Sequence, residues 1–111
     1  MRREMKIKVI TNEKIIFGTG DYIRFDHKQD CCENNWADFS QLEDTVAMDF
    51  EFNKDELLFE STDGEGFRFG NDGNMFFVPC YSDQNGYYSS MIDIYFNEDI
   101  VLYFECKERL D

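Results

Sequence analysis

Apolar and polar residues alternate at every second position along much of the chain, and this pattern predicts β-strands. Because each predicted strand has one apolar and one polar face, we expect half-buried strands of an antiparallel sheet. In one of these segments, residues 45–53, the alternation places Val46, Met48, Phe50 and Phe52 on one face. The predicted strands cover residues 6–9, 14–17, 22–27, 45–53, 75–81, 91–96 and 100–106.

Residues typical of turns separate the predicted strands. Asn85-Gly86 is typical of a type I′ hairpin, because both central residues of that turn need a positive φ. Pro79 lies inside a strand pattern, and since proline has no N–H to donate, it indicates an edge strand or a bulge. Further breaks that contain glycine lie at residues 18–20, 63–66 and 70–73.

Residues 33–44 show a helical spacing instead, with Trp36, Phe39 and Leu42 three positions apart. This spacing predicts a short helix of about one to three turns packed over the sheet. A chain of 111 residues suits one domain, which we expect to span residues 1–111. The predicted fold is therefore mainly β (α+β), a single antiparallel sheet or curled sandwich with one short helix.

Composition adds a folded core and a strong negative charge to this picture. The chain has 12 Phe and 6 Tyr, an aromatic content that disordered chains lack. Its 24 acidic and 11 basic residues give a net charge of −13. Such a charge repels the phosphates of nucleic acids and anionic membranes, so we expect direct binding to neither. A basic protein surface is the partner that the charge favours; the alternative is that acidity only keeps a small protein in solution.

Two missing patterns predict a cytoplasmic protein. Residues 1–8 are not followed by an apolar run of signal-peptide length. No segment reaches the roughly 18 apolar residues that a membrane helix requires. Cysteines of a cytoplasmic chain stay reduced, so the four cysteines are expected to be metal ligands or buried thiols.

The chain's one histidine lies close to two of its cysteines, and this cluster predicts a zinc site. His27, Cys31 and Cys32 fall within six positions, and zinc prefers imidazole nitrogen and thiolate sulfur in a tetrahedron. Adjacent cysteines point to opposite sides of an extended chain, so both bind one ion only where the backbone kinks. We predict Cys80, beside the irregular proline position, as the fourth ligand of Zn²⁺. Cys106 is the alternative, although its place on the apolar face of its strand indicates a buried small hydrophobe.

A closed set of three cysteines and one histidine leaves no open position for substrate, so the predicted site is structural and the protein is not an enzyme. Other interpretations of the cluster remain: partly buried thiols without metal, a disulfide between Cys31 and Cys32, or a nucleophilic cysteine with His27 as its base. Elsewhere, Tyr87 and Tyr88 at a predicted hairpin tip indicate either a contact surface or a tyrosine packed on the core.

Two of these elements together resemble a known pattern. His27-x-x-Asp30-Cys31-Cys32-Glu33 is followed about fifty residues later by Ser82-x-x-Asn85-Gly86-Tyr87-Tyr88-Ser89. This order resembles a family of uncharacterised small domains from bacteria and their phages. In that family a His-x-x-Asp-Cys-Cys-Glu element precedes two strands joined at Ser-Asn-Gly-Tyr-Tyr-Ser; here Gln84 replaces the serine before the asparagine. The resemblance implies a fold and a metal motif but no activity.

In its small size and strong acidity the chain is also similar to type II anti-CRISPR proteins, one of which contains zinc. That resemblance implies a monomeric inhibitor in the host bacterial cytoplasm, whose partner is a type II CRISPR effector nuclease. Such nucleases hold nucleic acid in positively charged channels, to which an acidic protein would be steered. Binding there would block the loading or the cleavage of target DNA without catalysing any reaction. The alternatives are a structural zinc-binding domain that binds a different host protein, or a metal-dependent enzyme.

Overall fold

Two β-sheets pack face to face in the computed structural model of the chain, which describes residues 4–26, 34–62, 64–83 and 90–109. The first sheet contains β1 (Ile7–Ile10), β2 (Lys14–Phe17), β3 (Tyr22–Asp26), β8 (Met91–Phe96) and β9 (Asp99–Glu105). Its strands follow the order β1-β2-β3-β8-β9, and all neighbours are antiparallel.

The second sheet is built around the long strand β7. It contains β4 (Asn34–Ala37), β5 (Leu58–Thr62), β6 (Gly66–Asn71), β7 (Asn74–Asp83) and β10 (Lys107–Arg109). The order is β10-β7-β6-β5, and β4 also pairs with β7. All pairs are antiparallel except β10 with β7, which is parallel.

Three 3-10 turns, Phe39–Leu42, Val46–Met48 and Lys54–Glu56, lie in the connection from β4 to β5. Each begins at a residue whose side-chain oxygen accepts a hydrogen bond from the backbone of the first turn, which satisfies an otherwise unpaired N–H. These capping residues are Asp38, Thr45 and Asn53. Within the described residues, none of the helical turns has the length and apolar content needed to span a membrane.

Aromatic rings join the two sheets. The ring centroids of Phe67 on β6 and Phe104 on β9 lie 6.1 Å apart. Those of Phe59 on β5 and Phe96 on β8 lie 5.8 Å apart. Because each large apolar side chain gains about 1.5–3 kcal/mol on full burial, this interior is the main source of stability. The fully buried residues of the first sheet include Ile15, Ile23, Ile92 and Ile94.

The predicted mainly β fold is confirmed. The structure contains two sheets, whereas a single sheet was one of the two predicted arrangements. The strands with clear alternation occur where they are predicted, namely β1, β2, β3, β7, β8 and β9. Four strands, β4, β5, β6 and β10, are not in the prediction. The Phe67-Arg68-Phe69 segment of β6 does alternate, with both phenylalanines buried and Arg68 exposed, but it is short and lies between turn residues.

The helix predicted over residues 33–44 is present only in part. Residues 34–37 form a strand, and the helical part is the single 3-10 turn Phe39–Leu42. Strand pairing outweighs the helical spacing here, because Trp36 lies opposite Tyr81 of β7 and the Asn35 amide donates to the Met91 carbonyl at 3.0 Å.

The strand predicted over residues 45–53 is wrong. Val46–Met48 is a 3-10 turn, in which Ala47 is buried and Val46 is 76% exposed, the reverse of the predicted faces. Phe52 is nevertheless buried, because its N–H donates to the Met5 carbonyl at 2.9 Å and this contact holds the segment against the sandwich.

Pro79 lies on β7, an interior strand, so the predicted edge position is wrong. The alternative, a bulge, is wrong as well, because the register of β6 and β7 shows no shift at Pro79. The proline fits because a ladder ends there. Pairing between β4 and β7 stops at Ala37 opposite Cys80, and the Pro79 carbonyl then accepts from the Asp38 N–H at 2.9 Å. No further donor is needed from Pro79 on that side.

Candidate functional site

Of the four predicted zinc ligands, the structure describes one. His27, Cys31 and Cys32 belong to residues 27–33, which lie outside the described residues. Cys80 lies on β7 and is fully buried, with its side chain on the inward face. The zinc site therefore stays a prediction. Within the part of the chain that the structure describes, no group of three or more His, Cys, Asp or Glu residues is arranged to hold a metal ion.

The two cysteines considered as alternative fourth ligands are in contact. Cys106, which follows β9, is buried as its place on the apolar face predicts, and neither thiol is in a disulfide. The hydrogen bond between the Cys80 and Cys106 thiols, together with burial, raises the pKa of Cys80 far above its ordinary value. Cys80 is therefore a neutral thiol and a poor nucleophile. The β7–β10 pairing creates this contact, which local sequence patterns do not encode.

Residues 27–33 and 84–89 lie outside the described residues, and each segment is flanked by strands of different sheets, β3 and β4 for the first segment and β7 and β8 for the second. Their flanking residues are paired, since Asp26 lies opposite Asp93 and Asn34 lies opposite Asp83. The hairpin predicted at Asn85-Gly86 is wrong, because β7 and β8 belong to different sheets and do not pair with each other. Tyr87 and Tyr88 belong to the second segment and lie outside the described residues.

The connection from β4 to β5 carries a dense set of exposed carboxylates. Residues 38–56 contain one basic side chain, Lys54, and its ammonium is bound to the Asp21 carboxylate at 2.9 Å. Three of these carboxylates, Glu43, Asp44 and Asp49, line an open groove of about 670 Å³ beside Val46 and Met48. The exposed acidic residues of this acidic segment are Glu43, Asp44, Asp49, Glu51, Asp55 and Glu56.

The outward face of the first sheet carries a second set of polar groups. Asp93 of β8 lies directly opposite Asp26 of β3 on one side and Tyr103 of β9 on the other. Partial burial and the nearby charge of Asp26 raise the pKa of Asp93 above its ordinary value. Sequence reasoning did not single out this row, although the buried neighbours Ile92 and Ile94 show that Asp93 faces outward.

Two tyrosines on the same face are already in contact with cations of the chain. The Arg24 guanidinium lies 3.9 Å from the ring centroid of Tyr95, and the Lys14 ammonium lies 5.5 Å from that of Tyr22. The Tyr22 hydroxyl also donates to the Glu98 carboxylate, which raises the pKa of the phenol. This face therefore combines rings, cations and carboxylates at close range.

Residues 2–94 match the model of a family described as a domain of unknown function, DUF7448. No curated protein and no solved structure gives a significant match to the chain. The family match covers β1 to β7 in full and β8 as far as Ile94, and it ends before β9 and β10.

Proposed function

We propose that this chain, which belongs to the DUF7448 family of domains of unknown function, is a zinc-stapled acidic inhibitor that binds a type II CRISPR effector nuclease. It would block target DNA loading or cleavage by occupying a basic, nucleic-acid-facing surface, without catalysing a reaction. The observation that carries the proposal is the acidic segment, which contains six exposed carboxylates and one lysine, and this lysine is already paired with Asp21.

The acidic segment supplies long-range attraction to a basic partner. Charges of one sign at a surface raise association rates with an oppositely charged surface and are screened by salt. A nuclease channel that binds nucleic acid backbones presents such a surface. Because the whole chain carries a net charge of −13, the same field repels free nucleic acid. The chain would therefore compete with DNA for the surface of the nuclease and would not bind the DNA itself.

Zinc would act as a staple within this inhibitor. We propose His27, Cys31, Cys32 and Cys80 as its ligands, which would join the connection after β3 to β7. Zinc binds thiolates, so it would have to displace the proton that the Cys80 thiol holds in contact with Cys106. Its contribution would be free energy of folding rather than catalysis.

Elemental analysis of the purified protein tests the zinc staple. We expect about one zinc per chain in the wild type, and loss of that zinc in Cys31→Ser and Cys80→Ser. Cys106→Ser is the matched control, because Cys106 is buried beside Cys80 and the same substitution should leave the zinc content unchanged. A wild type without zinc, or a Cys80→Ser variant that keeps it, would show that this ligand set is wrong.

Competition with DNA tests the inhibitory function. Fluorescence anisotropy of a labelled target duplex reports its binding to the guide-loaded nuclease, and a cleavage assay on the same duplex follows the later step. Adding the wild-type chain should lower DNA binding or cleavage. Neutralising Glu43, Asp44, Asp49 and Glu51 to their amides should raise the inhibitor concentration required by about tenfold or more, because the steering field is weakened.

A second neutralised variant controls for net charge alone. It changes four exposed but scattered carboxylates, Glu13, Glu65, Asp72 and Glu108, to amides. Because both variants lose the same charge, a larger effect from the acidic segment assigns the contact to that segment. If the wild type, added in excess, changes neither DNA binding nor cleavage, the proposed function is wrong.

A further inference from the structure

The two buried cysteines lie side by side where β10 pairs with β7. β10 runs parallel to β7, and Lys107 lies opposite Tyr81. Cys106 and Cys80 come one position before these residues, so the same register brings them opposite each other. Adjacent strands lie about 4.8 Å apart, and a disulfide joins Cα atoms that are about 4.4–6.8 Å apart. The spacing of the two backbones therefore suits a disulfide.

The two side chains also point towards each other. Cys80 is 0% exposed and Cys106 is 2% exposed, and both belong to the apolar interior. Their thiols are in hydrogen-bond contact, and neither is in a disulfide. A disulfide needs both the backbone spacing and converging side chains. Because the structure provides both, the two sulfurs can be joined with little movement of the strands.

β10 offers a way for an oxidant to reach this pair. It contains three residues, Lys107–Arg109, and pairs with β7 alone among the described strands. The side chains of Lys107 and Glu108 are exposed. A short strand with one neighbour and few buried contacts opens more readily than a strand in the middle of a sheet. Opening of β10 would uncover Cys106, whereas Cys80 stays on β7, which also pairs with β4 and β6.

We propose that Cys80 and Cys106 form a reversible disulfide by exchange with a low-molecular-weight disulfide such as oxidised glutathione. Cys106 loses its proton to water, and its thiolate attacks one sulfur of oxidised glutathione, which releases a first glutathione thiolate. Cys80 then loses its proton, and its thiolate attacks the Cys106 sulfur, which breaks the mixed disulfide and releases a second glutathione thiolate. Two protein thiols are oxidised, and one glutathione disulfide is reduced to two thiols.

The disulfide would join the two sheets covalently. Cys106 follows β9 of the first sheet, and Cys80 lies on β7 of the second sheet. A link that closes the chain between these positions restricts the unfolded state and therefore stabilises the fold. It would also remove Cys80 from the proposed zinc ligands, because zinc binds the thiolate form of cysteine. This second consequence, unlike the disulfide itself, rests on the proposed function.

Peptide mapping of the wild-type chain tests the disulfide. The metal-free protein is incubated with oxidised glutathione under native conditions, its free thiols are alkylated, and it is digested without reduction by a protease that cleaves after glutamate. Glu98 and Glu105 lie between the two cysteines, so the digestion separates them unless a disulfide joins them. We expect the peptides with Cys80 and Cys106 to be recovered joined. Alkylation of both thiols, or a link from Cys80 to another cysteine, would overturn the proposal.

Thermal unfolding tests whether the link fits the native strands. The oxidised wild type should melt about 5 °C or more above the reduced wild type, because a disulfide restricts the unfolded chain. Cys106→Ser is the control and should melt at the same temperature before and after treatment with oxidised glutathione. An oxidised wild type that melts no higher than the reduced protein, or an equal shift in Cys106→Ser, would overturn the fit of the disulfide to these strands.

Oxidation of the zinc-loaded protein separates this inference from the proposed function. If Cys80 binds zinc, the metal should lower the rate of disulfide formation by about tenfold or more, since the bound thiolate is withdrawn from exchange. A disulfide that forms at the same rate while zinc stays bound would uphold this site and show that the proposed ligand set is wrong. If the metal-free chain forms no disulfide, but Cys80→Ser loses zinc, the disulfide site is wrong and the zinc staple stands.

Discussion

Replacement of Phe52 by alanine is expected to lower the free energy of unfolding by about 3–5 kcal/mol, the usual cost of removing a buried phenylalanine. Phe52 is 4% exposed, and its ring contacts four others. The centroid distances are 5.5 Å to Phe17, 4.8 Å to Phe50, 5.5 Å to Phe69 and 5.7 Å to Phe76. Because these partners come from both sheets and a connection, they cannot all move to fill the cavity.

Urea denaturation measures this change, with Phe77→Ala as the matched control. Phe77 is 47% exposed on the outward face of the second sheet, so the same substitution there should cost less than about 1 kcal/mol. Equal losses at the two positions would mean that Phe52 does not lie at the centre of the aromatic core.

Substitution of Gly70 by alanine is the second large effect that we expect, a loss of about 3 kcal/mol or more. Gly70 has a φ of 146°, and a Cβ added there would lie 2.2 Å from the backbone oxygen of Asn74. That oxygen belongs to the paired end of the β6–β7 hairpin, where Gly70 lies opposite Met75. The strand must shift to relieve the overlap, which weakens the hairpin that supports Phe67 and Phe69.

Gly73→Ala isolates the steric part of this effect. Gly73 has a φ of 80° in the same hairpin, but an added Cβ would meet no atom within 4 Å. Its substitution should therefore cost only the backbone strain of about 1 kcal/mol. Thermal unfolding of the two variants compares them directly, and a Gly73→Ala loss as large as that of Gly70→Ala would contradict the close contact at Asn74.

The strands that the sequence predicts correctly, among them the edge strands β1 and β9, combine a clear alternation with at least one paired neighbour. β3 and β8 lie in the middle of the first sheet, so their apolar faces are uninterrupted. The segment 45–53 has the same alternation but no partner strand, and Thr45 caps a 3-10 turn there instead. Phe52 was nevertheless placed correctly in the apolar interior, because burial depends on the side chain as well as on the backbone.

The contacts between distant residues could not be predicted from local patterns. The row of Asp26, Asp93 and Tyr103 depends on the register of three strands, which periodicity alone leaves open. The contact of Cys80 with Cys106 depends on the parallel pairing of β10 with β7. The composition of the zinc motif is visible in the sequence, whereas His27, Cys31 and Cys32 lie outside the described residues.

The most direct test of the central claim is a titration of the wild-type chain into a guide-loaded type II CRISPR effector nuclease by calorimetry, at low and at several-fold higher ionic strength. The account predicts a complex at low ionic strength whose affinity falls as salt is added, because opposite charges attract across the interface. No complex at low ionic strength, or an affinity that salt does not change, would contradict it.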